Sequence, residues 1–314
     1  MSRTFNRFRG VSVASAILAT GFITPTVQAA ITLDLDYTYD VGGFFTAGRR
    51  TLMTQVAGLF EARIQDTLSA IAPSGGNHWT IEFYNPNTGL TSQVVDPTIT
   101  ANSIKVYLGA RNLGSGVLGV GGFGGVASGS GSGAFVTAVS TRGQSGVATS
   151  TDFGPWGGSI AFSDTASWYF DSDPTSVESF AGQNDFYSVA AHELGHLLGI
   201  GTADSWLHYV NGSHQFTGAA AVSSYGGNVP LVNADDHFAE GTVSTIAGTA
   251  TSQEAALDPT LTTGTRKYLT DLDWAALQDI GWQVAAVPEP TSISLVALSG
   301  ILFYAVFRGS RRKT

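Results

Sequence analysis

Asn184-Asp-Phe-Tyr-Ser-Val-Ala-Ala-His-Glu-Leu-Gly-His-Leu-Leu198 is the stretch on which the reading of the chain turns. Asn184 or Asp185 can cap a helix here. Phe186, Val189, Ala190, Leu194, Leu197 and Leu198 supply its apolar surface, and Gly199 and Gly201 can end it. Inside it, His192-Glu193-Leu194-Gly195-His196 puts two imidazoles four residues apart, on one helix face, where both can grip one ion. Glu193 stands beside them, and a carboxylate there can take a proton from water polarised by the ion. H-E-x-x-H on a helix is the zinc-hydrolase pattern. Catalytic zinc takes three protein ligands, so one more donor is required.

Thr202, six residues after His196, carries a neutral hydroxyl and is a poor ligand. Four other histidines exist: His78, His208, His214 and His237. His78 precedes a strand candidate and reads as a surface residue. His208 and His214 share a stretch with Trp206, Tyr209 and Asn211. His237 sits in Asn233-Ala-Asp-Asp-His-Phe-Ala-Glu-Gly241. On the residues alone the third ligand stays open among His237, His208, Asp204, His214 and none at all.

The chain has 314 residues, 43% of them hydrophobic and 12% charged, with 39 glycines and no cysteine, and its formal net charge is −9. That length holds a sizeable core without disulfides. The lack of cysteine excludes thiolate zinc sites, iron–sulfur clusters, thiol proteases and a cysteine latency switch. Residues 30–287 keep 8 basic against 23 acidic side chains, a net of −15, so the reading expects no nucleic-acid partner.

Outward from the helix, an α+β fold is expected. Ile31 to Tyr37 alternates as a strand. Leu52, Val56, Leu59, Phe60, Ile64, Leu68 and Ile71 recur at helical spacing and predict one helix across 52–71, packed on a sheet. Thr80 to Tyr84, Ile104 to Leu108, Gly158 to Phe162 and Trp168 to Phe170 read as further strands. Residues 113–133 hold ten glycines. Gly119, Gly121 and Gly124 fit G-x-G-x-x-G, but no helical pattern follows, and the stretch reads as a turning or flexible surface loop. Thr270 to Gly281 reads as a closing helix with Thr270 as cap and Asp273 at the capping-box position. Asp171 and Asp173 form an acidic pair that could take Ca2+, with solvated turn residues the plainer reading.

Residues 1–29 have the form of a secretory signal peptide: Arg3, Arg7 and Arg9, then an uncharged run from Val11 to Val27, then Val27-Gln28-Ala29 as a small-residue cleavage site. Residues 287–314 read Val287-Pro-Glu-Pro290, uncharged Thr291 to Phe307, then Arg308, Arg311, Arg312 and Lys313. Seventeen uncharged residues just span a bilayer, and the basic end favours the cytoplasmic side. This tripartite tail resembles the PEP-CTERM sorting signal of Gram-negative bacteria. The resemblance implies export across the inner membrane, a transient membrane anchor, an exosortase-type processing enzyme, and delivery to the cell surface or extracellular matrix.

Residues 30–286 are then one metalloprotease domain by a second resemblance. His192-Glu193-x-x-His196-x-x-Gly199 resembles the metzincin clan, and the order from Asn184 to Val284 is similar to its leishmanolysin-like branch. There an insertion separates the glycine from the third histidine, and a methionine turn precedes the final helix. The resemblance implies a two-subdomain zincin: a mixed twisted sheet with a backing helix and an active-site helix, then a smaller C-terminal subdomain ending in a helix. It implies one Zn2+ held by His192, His196 and His237, with Glu193 as catalytic base and Leu257 in the place of the turn methionine. It also implies a polypeptide substrate in a cleft along a strand containing Phe162. The expected activity is zinc-dependent endopeptidase. The alternatives are a non-catalytic surface or biofilm-matrix protein on the same scaffold, or a zinc amidase acting on envelope polymers.

Overall fold

The computed structural model describes residues 31–286 apart from Val177. The signal-peptide and sorting-signal stretches expected at 1–29 and 287–314 lie outside the described residues. Among the described residues no helix is long and apolar enough to cross a membrane.

The described chain is mixed α+β, with six helices and several small sheets. Its first half contains β1 (Thr32–Asp36), α1 (Ala47–Glu61), β2 (His78–Tyr84), β3 (Thr91–Val95), β4 (Ser103–Arg111), β5 (Gly119–Phe123), β6 (Gly125–Ser130), α2 (Gly133–Thr141) and β7 (Gly157–Ser163). β8 (Trp168–Tyr169), β9 (Asn184–Asp185), α3 (Phe186–Leu197), α4 (Asp204–His208), α5 (Ala219–Tyr225) and α6 (Asp271–Asp279) follow, with short hairpins between the last helices. The largest sheet has the order β1-β4-β7-β5. Its first three strands are parallel, and β5 runs antiparallel at the edge.

Strand alternation sorts this sheet into two faces. Ile104, Val106, Leu108, Ile160 and Phe162 point to a core shared with α1 and α3. Tyr107 points the other way, into a second core with Trp79, Ile81, Phe83 and Trp156 beneath the antiparallel sheet β3-β2-β6. α3 is therefore sandwiched between the sheet and the C-terminal half of the chain.

Three expectations need correction. The glycine-rich stretch is not a loop: β5 and β6 are paired strands, on β7 and β2 respectively. Strand ladders use backbone groups, so glycine-rich strands form while their sequence gives no alternation signal. The helix expected over 52–71 runs over Ala47–Glu61 instead. Ile64, Leu68 and Ile71 are fully buried as predicted, but their segment is irregular, with isolated bridges at Ile64 and Ile71. Gln65 N donates to Gln283 O (2.9 Å), Leu68 N to Asn102 Oδ1 (2.8 Å) and Ile71 N to Ile99 O (2.8 Å). Tertiary acceptors there replace the i−4 carbonyls of a helix. Phe162 lies on β7, interior to the sheet between β4 and β5; the strand beside the cleft is β5.

The closing segment is fastened at both ends of the core. Trp282 Nε1 donates to Leu198 O at the end of α3 (2.7 Å), Gln283 N to Asp66 Oδ2 (2.8 Å), and Ala285 N to Arg63 O just past α1 (2.7 Å).

Candidate metal centre

α3 begins at Asp185, whose carboxylate accepts from Ser188 N (3.1 Å) and satisfies one of the free first-turn amides. Arg266 grips the same carboxylate in a fork, from Nε to Oδ2 (2.9 Å) and from Nη2 to Oδ1 (2.8 Å). Its Nη1 pairs with Asp171 Oδ2 (2.9 Å). Burial opposes charge on this guanidinium, but the two carboxylates more than reverse the effect and hold its pKa above the usual arginine value. Of the acidic pair considered for Ca2+, Asp171 is thus engaged by Arg266, and Asp173 Oδ1 accepts from Thr175 N (3.2 Å) in a local turn.

After α3 the chain turns on Gly199 (φ 108°) and Gly201 (φ 72°). Gly201 also meets the backbone of Asp236: a Cβ there would stand 2.7 Å from that residue's carbonyl carbon. Only glycine permits this approach, and it carries His237 to the helix.

The structure brings His192, His196 and His237 together. Their Nε2 atoms form a near-equilateral triangle: 3.0 Å between His192 and His196, 3.0 Å between His196 and His237, and 3.2 Å between His192 and His237. Each Nδ1 is occupied. His192 Nδ1 donates to Ala256 O (2.7 Å), His196 Nδ1 to Ile200 O (2.8 Å) and His237 Nδ1 to the Asp236 carboxylate (2.8 Å). A carbonyl or carboxylate oxygen accepts only, so the ring proton sits on Nδ1 and each Nε2 presents a lone pair. Three converging lone pairs repel one another unless a cation lies between them. Tetrahedral zinc with Zn–N near 2.0–2.1 Å needs ligand nitrogens about 3.3 Å apart, so the triangle fits the ion. Burial pushes the pKa of His192 well below the usual histidine value and that of His196 down to about 4, in each case helped by a neighbouring imidazole. Both are held neutral, as metal ligation requires.

The wall beneath the triangle comes from 255–258. Leu257 is fully buried, and a Cβ on Gly195 would touch its Cδ1 at 3.0 Å. Asp273, in the capping box of α6, also accepts from Ala256 N (3.0 Å) and Leu257 N (3.1 Å). One buried carboxylate thus holds both the last helix and the turn whose carbonyl orients His192.

Glu193 is 5% exposed and faces β5. Cβ atoms built on Gly119 and Gly121 would collide with it: 2.7 Å from Gly119 to Glu193 Cγ, and 2.6 Å from Gly121 to the Glu193 carbonyl oxygen. Burial pushes its carboxyl up to about 8, and the Gly121 amide pulls the other way by favouring the ionised form. A dication beside it would pull the same way as that amide. Glu193 and the histidines line a cavity of about 480 Å³ between β5 and the 256–261 segment. Its far wall carries Lys267, bonded to Asp258 (2.7 Å) and Glu254 (3.0 Å), so that the Glu240, Glu254 and Asp258 carboxylates have a lysine ammonium among them.

The other sequence candidates are elsewhere. His208 and Asp204 lie exposed on α4, His214 Nδ1 bonds Asp235 (2.8 Å), and His78 is exposed beside Asp96. Sequence reasoning gave Gly119 and Gly121 to a loop and Gly201 only to the helix end, and missed Asp236 and the Ala256 carbonyl as parts of the site. The glycine-rich stretch left a trace as an excess without periodicity. Compared with known protein families, curated proteins and solved structures, the chain matches none of them.

Proposed function

We propose that this protein is a zinc-dependent endopeptidase of metzincin-like build. The observation that carries the reading is the triangle of unprotonated Nε2 atoms with every Nδ1 already bonded. His192, His196 and His237 would hold the ion and leave one position open. Bound zinc supplies a Lewis acid that brings the pKa of water down to about 7. Glu193, buried against the glycine strand, takes the proton of the attacking water and passes it to the leaving amine. β5 ends its sheet, so its outer edge can pair with an extended peptide laid across the cavity. The 256–261 segment forms the opposite wall.

The sequence of the terminal segments supports export with a sorting signal of the PEP-CTERM kind, and with it a proposed activity at the cell surface or in the matrix.

The test is casein or mixed-peptide cleavage by the zinc-loaded protein beside Glu193→Gln. The expected result is turnover in the first, at least about 1,000-fold less in the second from loss of the general base, and close to one zinc per chain in both. Zinc binding without cleavage of any peptide would overturn the proteolytic reading in favour of a metal-bearing scaffold.

A further inference from the structure

A second cavity, of about 420 Å³, opens on the other side of β5. It meets the first across a rim shared by Val120, Gly121 and Thr202. The strand register fixes which side chains face it. Arg111 stands opposite Ser163, Ala161 opposite Val120, and Ser159 opposite Gly122, so Arg111, Ser159, Ala161 and Val120 share the sheet face turned away from α3. The β2–β3 hairpin closes the far side through Tyr84, Asn85 and Pro86.

Arg111 is singular among the cationic side chains of the described residues. Arg49, Arg50 and Arg63 donate to the carbonyls of Phe44, Phe45 and Ala285. Arg142 serves Ser69, Pro155, Thr100 and Ser103. Lys105, Arg266 and Lys267 are held by carboxylates. The Arg111 Nε is enclosed without a hydrogen-bond partner, and no carboxylate among the described residues pairs with the guanidinium. Its Cζ stands near Gly89, where a built Cβ would come within 3.1 Å of it. A guanidinium that lines a cavity with no carboxylate of its own matches a carboxylate ligand, which its planar fork can take in two bonds. The one acidic residue lining the cavity is Glu82, which accepts from Gln93 Nε2 (3.3 Å).

We infer that this cavity is an anion subsite in which Arg111 binds a carboxylate of a peptide lying along β5. The inference rests on the endopeptidase reading. In a strand added to β5, alternate side chains face the Glu193 side and the Arg111 side. β4 and that added strand are three strand spacings apart, about 14 Å, so the carboxylate sits on a long side chain, a glutamate, or on a C-terminus turned into the cavity.

The probe is a set of decapeptides in which one glutamate moves through successive positions around the scissile bond. Each peptide has a glutamine twin, and each is made with a free and an amidated C-terminus. At one alternating register the protein should cleave the glutamate peptide at least about tenfold more efficiently than its twin, the scale of a charge-assisted hydrogen bond. Arg111→Gln should erase that preference and leave cleavage of the glutamine peptides unchanged. Arg111→Lys should keep part of it, because it retains the charge without the fork. A preference that follows the free C-terminus instead assigns the subsite to that carboxylate. Cleavage with the same preference in protein and Arg111→Gln, or with no preference at all, overturns the inference. If no peptide is cleaved, the endopeptidase reading fails, and calorimetric binding of the same peptides decides: tighter glutamate binding that is lost in Arg111→Gln supports the subsite, and equal binding overturns it.

Discussion

Replacing Gly119 with alanine isolates the placement of the proposed base from everything else in the protein. Gly119 lies in a strand without positive φ, so alanine meets no backbone strain there. What it meets is Glu193, with a new Cβ 2.7 Å from Cγ, 2.8 Å from Cδ and closer still to Oε1, where ordinary contact begins at 3.4 Å. Glu193 is a flexible side chain that lines the cavity, so its carboxylate can retreat by roughly 1 Å toward that space. Catalysis has no such tolerance, since a misplacement of that size costs on the order of 100-fold in rate. The expected phenotype is a kcat for peptide cleavage down about 100-fold, with zinc content and thermal midpoint near those of the parent. Glu193→Asp supplies the control, because its shorter side chain vacates the contested space. Added to Glu193→Asp, the alanine should cost little more. An unchanged kcat in Gly119→Ala, or the same loss in both backgrounds, would refute the idea that the bare strand exists to seat the carboxylate.

His237→Ala should lower zinc affinity by several orders of magnitude, read by competition with a chromogenic chelator; a variant that keeps its zinc and activity would move the third ligand elsewhere. Arg266→Ala leaves Asp185 and Asp171 buried without their cation, and should cost about 3–5 kcal/mol of stability in urea unfolding. Asp273→Ala frees the turn that orients His192, and should weaken zinc binding by about 10–100-fold. Burial pushes the Asp66 carboxyl up to about 6, against 3.8 for a free aspartate. Below about pH 4 it is protonated in both folded and unfolded chains and costs nothing. Between pH 4 and 6 the unfolded chain ionises first, so stability falls as pH rises, by on the order of 3 kcal/mol in full. Asp66→Asn should show little of that fall, and a variant whose stability tracks the parent's across the window would exclude Asp66 as its cause.

How much of this was legible in the sequence depends on where the signal resides. α3 carried it in its own side chains: Asp185 to start it, an apolar face to bury it and Gly199 to end it. The capping box at Thr270 and Asp273 was equally plain. His237 lies 41 residues beyond His196, and no local pattern singles it out; only the resemblance pointed to it. Its place is set by Gly201 packing on the Asp236 backbone, which no periodicity records. β5 was read as a loop because a strand of mostly glycine has nothing to alternate. The helix expected through Ile71 failed for the opposite reason: its apolar spacing was real and its burial correct, while the backbone found partners at Ile99, Asn102 and Gln283.

The fastening of Trp282, Gln283 and Ala285 has a mechanical consequence. A pull on the chain from residue 286 does not first peel away a loose end. It meets bonds at Arg63, Asp66 and Leu198, which lie beyond the ends of the two helices that pack on the central sheet. A molecule tugged from that side would have to break those bonds before the load passed along the chain to α6.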